Sequence, residues 1–235
     1  MPESGEGLPI RKHTVRSFDE ELEHLTRQIV HMGALVERQV AEAIRALVER
    51  DGDTAARVVQ QDDEVDELEE AIDQEAIRIL ATRQPMAIDL RMVAMALKIS
   101  NDLERTSDYA VNIARRVQRL IEQPPLKPLV TIPRMAELVQ LMIKDVLDAY
   151  VRRDAERALD VWRRDEEVDQ YYNSLFRELL TYILEDPRRT SMCIDLLFIA
   201  KNLERIGDHA TNIAEKIRYI VHGDLINRMS RDVKK

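Results

Sequence analysis

The chain has 235 residues, enough for one large or two small domains with a buried core. Lys and Arg total 35 against 44 Asp and Glu, giving a formal net charge of −9 and a pI near 5.2, which disfavours nucleic acid as a partner because a phosphate backbone is held by clustered Lys and Arg. Hydrophobic residues at 45% beside charged residues at 34% exclude wholesale disorder, while six Gly, eight Pro and 4% aromatic residues indicate an all-α chain.

In chain order, Ser17 followed by Glu20 has the form of a capping box and opens a first helix running to about Arg50, where Asp51-Gly52-Asp53 stops it. A second helix is predicted from about Thr54 to Arg83, ending before Pro85 because proline lacks the amide and disfavours helical geometry in the residue ahead of it. A third runs from about Ala87 to Glu122. Pro124, Pro125, Pro128 and Pro133 then crowd one segment, which reads as a stiff linker over 124–133. Three more helices follow at about Arg134 to Arg153, Ala155 to Leu184 and Thr190 to His222. Pro187 divides the last two, and Gly223 suits a left-handed C-cap. Residues 1–16 and 224–235 carry no strong period and are expected to be mobile.

The two halves repeat each other. Asn101 to Ala114 recurs as Lys201 to Ala214, Arg50-Asp51 recurs as Arg153-Asp154, and Asp62 to Asp66 recurs as Asp165 to Asp169 in the same order. The expected architecture is therefore two tandem, sequence-repeated three-helix bundles, 17–123 and 134–223, built from six long helices. Helices of some 30 residues are about 45 Å long and bury one apolar face most simply by packing lengthwise.

On the third helix, Met92, Ala96, Ile99, Leu103, Ala110, Ala114, Val117 and Ile121 share one face. Glu104, Asp108 and Asn112 stand within about 80° of one another on the opposite side. Residues four apart lie about 5–6 Å apart at Cβ, so the carboxylates of Glu104 and Asp108 repel unless a cation sits between them. Glu204, Asp208 and Asn212 repeat the pattern. The second helix carries an acidic line of Asp62, Asp66, Glu69 and Asp73 beside the apolar Val58, Val65, Leu68, Ile72 and Ile79. Its copy retains Asp165 and Asp169 but has Tyr172 and Phe176 further along. If the acidic pairs of one half face each other across neighbouring helices, four carboxylates meet. An all-oxygen set suits Mg²⁺, Ca²⁺, Mn²⁺ or iron better than zinc. The plainer reading is a solvated face paired with Arg105 and Arg205.

Other features are weaker. Glu21 and His24 have the spacing of one half of a di-iron carboxylate motif, but only one copy occurs, so they read as a surface pair. Cys193, the lone cysteine, excludes an intrachain disulfide and a Cys-rich zinc site, and in its apolar stretch reads as a buried small hydrophobe. His209 has Tyr109 as its counterpart, and Trp162, Tyr171 and Tyr172 read as packing residues. No phosphate loop or nucleophile elbow is present, so no catalytic site is expected. No run of 18 or more apolar residues occurs and Met1 to Lys12 lacks the apolar stretch of a signal peptide, so no membrane span or secretory export is expected, and a reducing cytoplasm fits.

Gln84-Pro85-Met86-Ala87-x-Asp89-Leu90-Arg91, Ala96-Leu97-Lys98-Ile99, the segment Asp102 to Ala114 and the segment Asn202 to Glu215 resemble the signatures of the PhoU family of bacterial phosphate-signalling regulators, over about Ser17 to Gly223. The resemblance implies homodimers or higher oligomers and multinuclear metal sites at acid-x-x-x-Asp pairs: Asp62 and Asp66 with Glu104 and Asp108, and Asp165 and Asp169 with Glu204 and Asp208. It also implies a negative regulator of the phosphate-starvation response that links the ATPase subunit of the phosphate ABC importer to a sensor histidine kinase. Such a regulator would be peripheral to the inner membrane only through protein partners. One departure is Thr106-Ser107 in the first half against Ile206-Gly207 in the second. A small residue that admits another backbone would make the first site the looser one.

Overall fold

In the computed structural model, which describes residues 16–124 and 130–224, the six predicted rods are present and no strand occurs among the described residues. Residues 1–15, 125–129 and 225–235 lie outside that description, and with them most of the expected mobile tails and the centre of the Pro-rich segment.

The first rod, α1 (Arg16–Glu49), buries Leu22, Leu25, Ile29, Met32, Val36 and Val40 at three- and four-residue spacing. It starts one residue ahead of Ser17, so Ser17 sits in the first turn, and its hydroxyl accepts from Arg83 Nη2 at 3.2 Å. It ends at Arg50, which turns left-handed at φ 57° and throws Asp51 into extended geometry. Asp51 Oδ1 then accepts from the amides of Asp53 and Thr54, both at 3.0 Å, and starts the next helix. The second half repeats the device with Arg153 at φ 54° and Asp154 accepting from Glu156 and Arg157.

Two of the predicted rods are each interrupted by one residue. The second is α2 (Gly52–Gln60) and α3 (Asp62–Arg83), broken at Gln61, and its copy breaks the same way at Arg164, as described below. The break puts Asp62, Asp63 and Glu64 in the first turn of α3, where carboxylates meet the positive end of the helix dipole. The third rod, α4 (Ala87–Leu120), is followed by α5 (Thr131–Arg152). Pro133 belongs to the first turn of α5 and not to the linker, a place where a missing amide costs nothing. The fifth rod is α6 (Ala155–Arg163) and α7 (Asp165–Glu185), separated by Arg164, and a 3-10 turn at Pro187–Arg189 leads into α8 (Thr190–His222). As expected, Gly223 caps α8 at φ 83°.

Within the first half, α1 and α4 run parallel and α3 antiparallel to both. Arg50, after α1, donates to Ile121 O at 2.7 Å after α4, whereas Glu21, early in α1, pairs with Arg83 at the end of α3. The halves meet along two antiparallel helix pairs. Arg91 Nε at the start of α4 reaches Ile220 O near the end of α8 at 3.0 Å, and Arg116 near the end of α4 reaches Asp195 near the start of α8 at 2.8 Å. In the second pair, α1 against α5, Leu147 packs over Gly33: a Cβ there would lie 2.5 Å from Leu147 Cδ2, so the glycine sets how closely the two helices approach. Segments α2 and α3 cover α1 and α4, and α6 and α7 cover α5 and α8. Ile29, Ile72, Ile99, Ile132, Leu175 and Ile199, drawn from both halves, are all essentially without solvent contact and belong to one continuous core.

Candidate metal and regulatory site

The acidic motifs lie where α3 meets α4 and where α7 meets α8. Val65 and Ile72 are buried beneath α3 and Leu103, Ala110 and Ala114 beneath α4, which leaves Asp62, Asp66, Glu104 and Asp108 along the seam between the two helices. Two of these carboxyls are raised by burial and by their acidic neighbours. The Glu104 carboxyl is pushed up to about 7, first by burial and then by Asp108, with Glu69 and Asp66 adding and Arg105 opposing. Asp66 is also raised, by the protein packed against it and then by Asp62, Asp108 and Asp63.

Three of these carboxylates have other polar neighbours. Arg105 sits against the pair on α4, with Nη1 3.0 Å from Asp108 Oδ2 and Nε 3.4 Å from Glu104 Oε2. Glu104 Oε2 is nevertheless buried without a well-directed hydrogen bond. Asp62 Oδ1 lies 2.9 Å from Ser107 Oγ, which is also 2.8 Å from Gln39 Oε1 on α1, so one hydroxyl proton serves two acceptors in turn. Gln39 Nε2 in turn donates to Gln61 O at the helix break, at 3.1 Å.

The second half is built differently. Gly207 replaces Ser107, and a Cβ there would meet Val168 Cγ1 at 3.5 Å and Asp165 Oδ1 at 3.9 Å. That is ordinary contact with side chains, so no backbone approach requires the glycine, and the first site is not loosened by having serine. Instead serine supplies a hydroxyl to Asp62 that the second half lacks. Asp208 is raised by surrounding protein, then by Glu204, with Asp169 adding and Lys201 and His209 opposing. Asp208 is nevertheless exposed, so water screens part of this crowding. Lys201 pairs with Glu204, whereas Arg205 donates to Tyr109 Oη across the junction between halves at 3.3 Å.

Among the described residues, no three carboxylate, imidazole or thiol groups stand together as a ready metal cage. The chemistry of the donors nevertheless suits a hard cation: the ligands are oxygen, like charges face each other across each seam, and Glu104 presents an orphaned buried oxygen. The Glu21–His24 pairing does not form. Glu21 is committed to Arg78 and Arg83, at 3.3 and 2.8 Å, which hold its carboxyl below the ordinary range. Cys193 is buried, as expected, and burial raises its thiol.

Sequence reasoning did not find the junction between the halves. Asp102, 6% exposed, accepts from Lys216 Nζ and meets His209 Nδ1 at 2.9 Å, while the His209 and Tyr109 rings lie 5.7 Å apart. The signal was present in the repeat itself: Asp102 aligns with Asn202 and Tyr109 with His209, so the polar residues that differ between the halves meet at the contact.

The PhoU domain family matches this chain twice, over residues 29–117 and 132–217. The chain belongs to the PhoU family. Among relatives, the phosphate-specific transport system accessory protein PhoU homolog of Caulobacter vibrioides is 53% identical over 214 residues, covering 91% of this chain and 93% of that protein. The protein of the same name from Zymomonas mobilis is 48% identical over 219 residues, covering 93% of this chain and 92% of that one. The crystal structure of PhoU from Pseudomonas aeruginosa superposes with a TM-score of 0.84 at 42% identity, over 88% of this chain and all of that one. That of the phosphate transport system regulatory protein PhoU from Streptococcus pneumoniae gives 0.82 at 30% identity, over 88% and 98%. The fold and the internal repeat are thus those of PhoU, and no helix among the described residues is long and apolar enough to cross a membrane.

Proposed function

We propose that this PhoU-family chain is an accessory regulator of a phosphate-specific importer and works as a negative regulator of the phosphate-starvation response, without catalytic turnover of its own. The supporting observation is the near full-length likeness, in both repeats, to proteins named phosphate-specific transport system accessory proteins. On this reading the chain docks on the importer's ATPase subunit and on a sensor histidine kinase, as a homodimer or higher oligomer in the cytoplasm. Asp62, Asp66, Glu104 and Asp108 hold one metal site, and Asp165, Asp169, Glu204 and Asp208 hold the other.

A bound Mg²⁺, Mn²⁺, Ca²⁺ or iron ion would supply positive charge to each seam. The chain's own residues supply the ligands: Asp62 and Asp165 stand in the first turns of α3 and α7, and the Ser107 hydroxyl on α4 orients Asp62. Arg105 and Lys201 take the same carboxylates in the absence of a cation. The experiment deletes the protein from its host and follows a phosphate-starvation reporter in phosphate-rich medium. The reporter is expected to turn on despite plentiful phosphate; if it stays silent while uptake remains at wild-type level, the regulatory assignment is wrong.

A further inference from the structure

The two halves differ most on one outward face. On α7, Tyr172, Phe176, Leu180 and Leu184 recur every fourth residue, and Phe176, Leu180 and Leu184 are exposed, the last by 83%. Helix α8 runs antiparallel beside it, in a register set by Val168 at Gly207, Tyr172 at Lys201 and Tyr182 near Cys193. That register brings Phe198 level with Phe176 and Ile194 level with Leu180. Phe198 is 48% and Ile194 44% exposed, so five large apolar side chains form a double row open to water.

The fold does not require this. At the repeat counterparts the first half has Glu69, Asp73 and Ala81 on α3, with Ala94 and Lys98 on α4; only Ile77 remains large and apolar. There Asn101 donates to Glu69, and the surface is a polar depression of about 440 Å³ that also takes in Asp102 and Lys216. One scaffold thus carries a polar face in one copy and an apolar face in the other.

The rim of the apolar face states the charge of its occupant. On the α4 side, Arg116 lies 4.0 Å over the Phe198 ring, and Arg116 and Arg119 share the single Asp195. At the α7–α8 turn, Arg188 and Arg189 share the single Asp186. Counting the neighbouring Glu185 with Asp186 and Asp195, these four arginines exceed the acids of the rim by one, and Arg119 and Arg188 stand 60% and 91% exposed, in a chain whose net charge is −9. Of the two acids on this stretch of α7, Glu178 is turned to Thr131 and Tyr182, and Glu185 follows Leu184 at the turn.

We propose that this face docks an amphipathic helix with an acidic edge, contributed by a partner protein. Its apolar side chains would lie in the double row, and its Asp or Glu side chains would meet Arg119 and Arg188. The test uses two labelled synthetic helical peptides with the same Leu/Phe face, one edged with Glu and one with Lys, titrated against the full chain by fluorescence anisotropy. The Glu-edged peptide is expected to bind at least tenfold more tightly than the Lys-edged one. Leu180→Glu should weaken it at least tenfold, and the double variant Arg119→Glu/Arg188→Glu should reverse the preference, with circular dichroism confirming that each variant is folded. Equal binding of both peptides, binding of neither, or no effect of Leu180→Glu overturns the proposal. So does a wild-type dimer that Leu180→Glu dissolves, which gives the face to a second copy, or binding to anionic vesicles that Leu180→Glu removes, which gives it to lipid.

Discussion

At the scale of single residues, Glu104 registers the conflict between burial and charge most clearly. Its carboxyl rises from an ordinary 4.5 to about 7, so between those values the folded chain binds a proton that the unfolded chain has released. The stability tied to this group is therefore full below about 4.5 and is lost as the pH climbs through 7, on the order of 2 to 3 kcal/mol across the window. A cation at the seam would act on the same oxygens from the other side, most strongly once the proton has gone. Melting temperature followed from pH 4.5 to 8 should fall more steeply for the wild type than for Glu104→Gln. Added Mn²⁺ at pH 7.5 should raise it more for the wild type than for the variant. Parallel pH curves would show that Glu104 does not carry this charge conflict, and equal Mn²⁺ shifts would place the ion elsewhere.

At the scale of the helix, the turn after each first rod is the same few residues used twice. Arg50 and Arg153 accept left-handed geometry, and Asp51 and Asp154 each take two amides of the following helix. Replacing either aspartate by Ala should lower the melting temperature by about 2–4 °C, as expected for a lost N-cap in a chain of this size. The two effects should add in the double variant, because the caps belong to different halves. The loss should be larger at Asp51, whose carboxylate also takes the Thr54 hydroxyl. These stops were legible because Arg-Asp recurs in the sequence and because Pro85 and Pro187 end rods by removing an amide. The interruptions at Gln61 and Arg164 were not. Neither residue is a helix breaker, and three acids in a row read equally well as the solvated side of an unbroken helix or the first turn of a new one. The acid pairs were legible from their four-residue spacing and repetition. Which cation holds which pair was not, since Arg105 and Arg205 occupy equivalent positions, yet Arg105 pairs with Asp108 while Arg205 donates to Tyr109 and Lys201 takes Glu204.

At the scale of the whole molecule, the repeat packs against itself: α4 lies antiparallel to its own copy α8, with Asp102 held by Lys216 and His209 at one level and Arg116 held by Asp195 at another. An isolated first half, residues 16–124, would leave Asp102 and the contact side of α4 exposed, and one copy of α4 offers a second copy much the same surface that α8 does. Arg116 is the repeat counterpart of Lys216, so in an antiparallel pair of such halves Asp102 of each would stand opposite Arg116 of the other copy. Tyr109 would stand opposite Arg105, as it now meets Arg205. The charge pattern survives the exchange, and a true two-fold axis replaces the approximate one. The fragment should therefore sediment as a concentration-dependent dimer, and Asp102→Arg, which sets like charges opposite each other, should return it to a monomer with a lower, broader melting transition. A fragment that is monomeric and melts sharply would mean that the α4–α8 contact is dispensable to each half, and that the shared core described above is two cores that only touch.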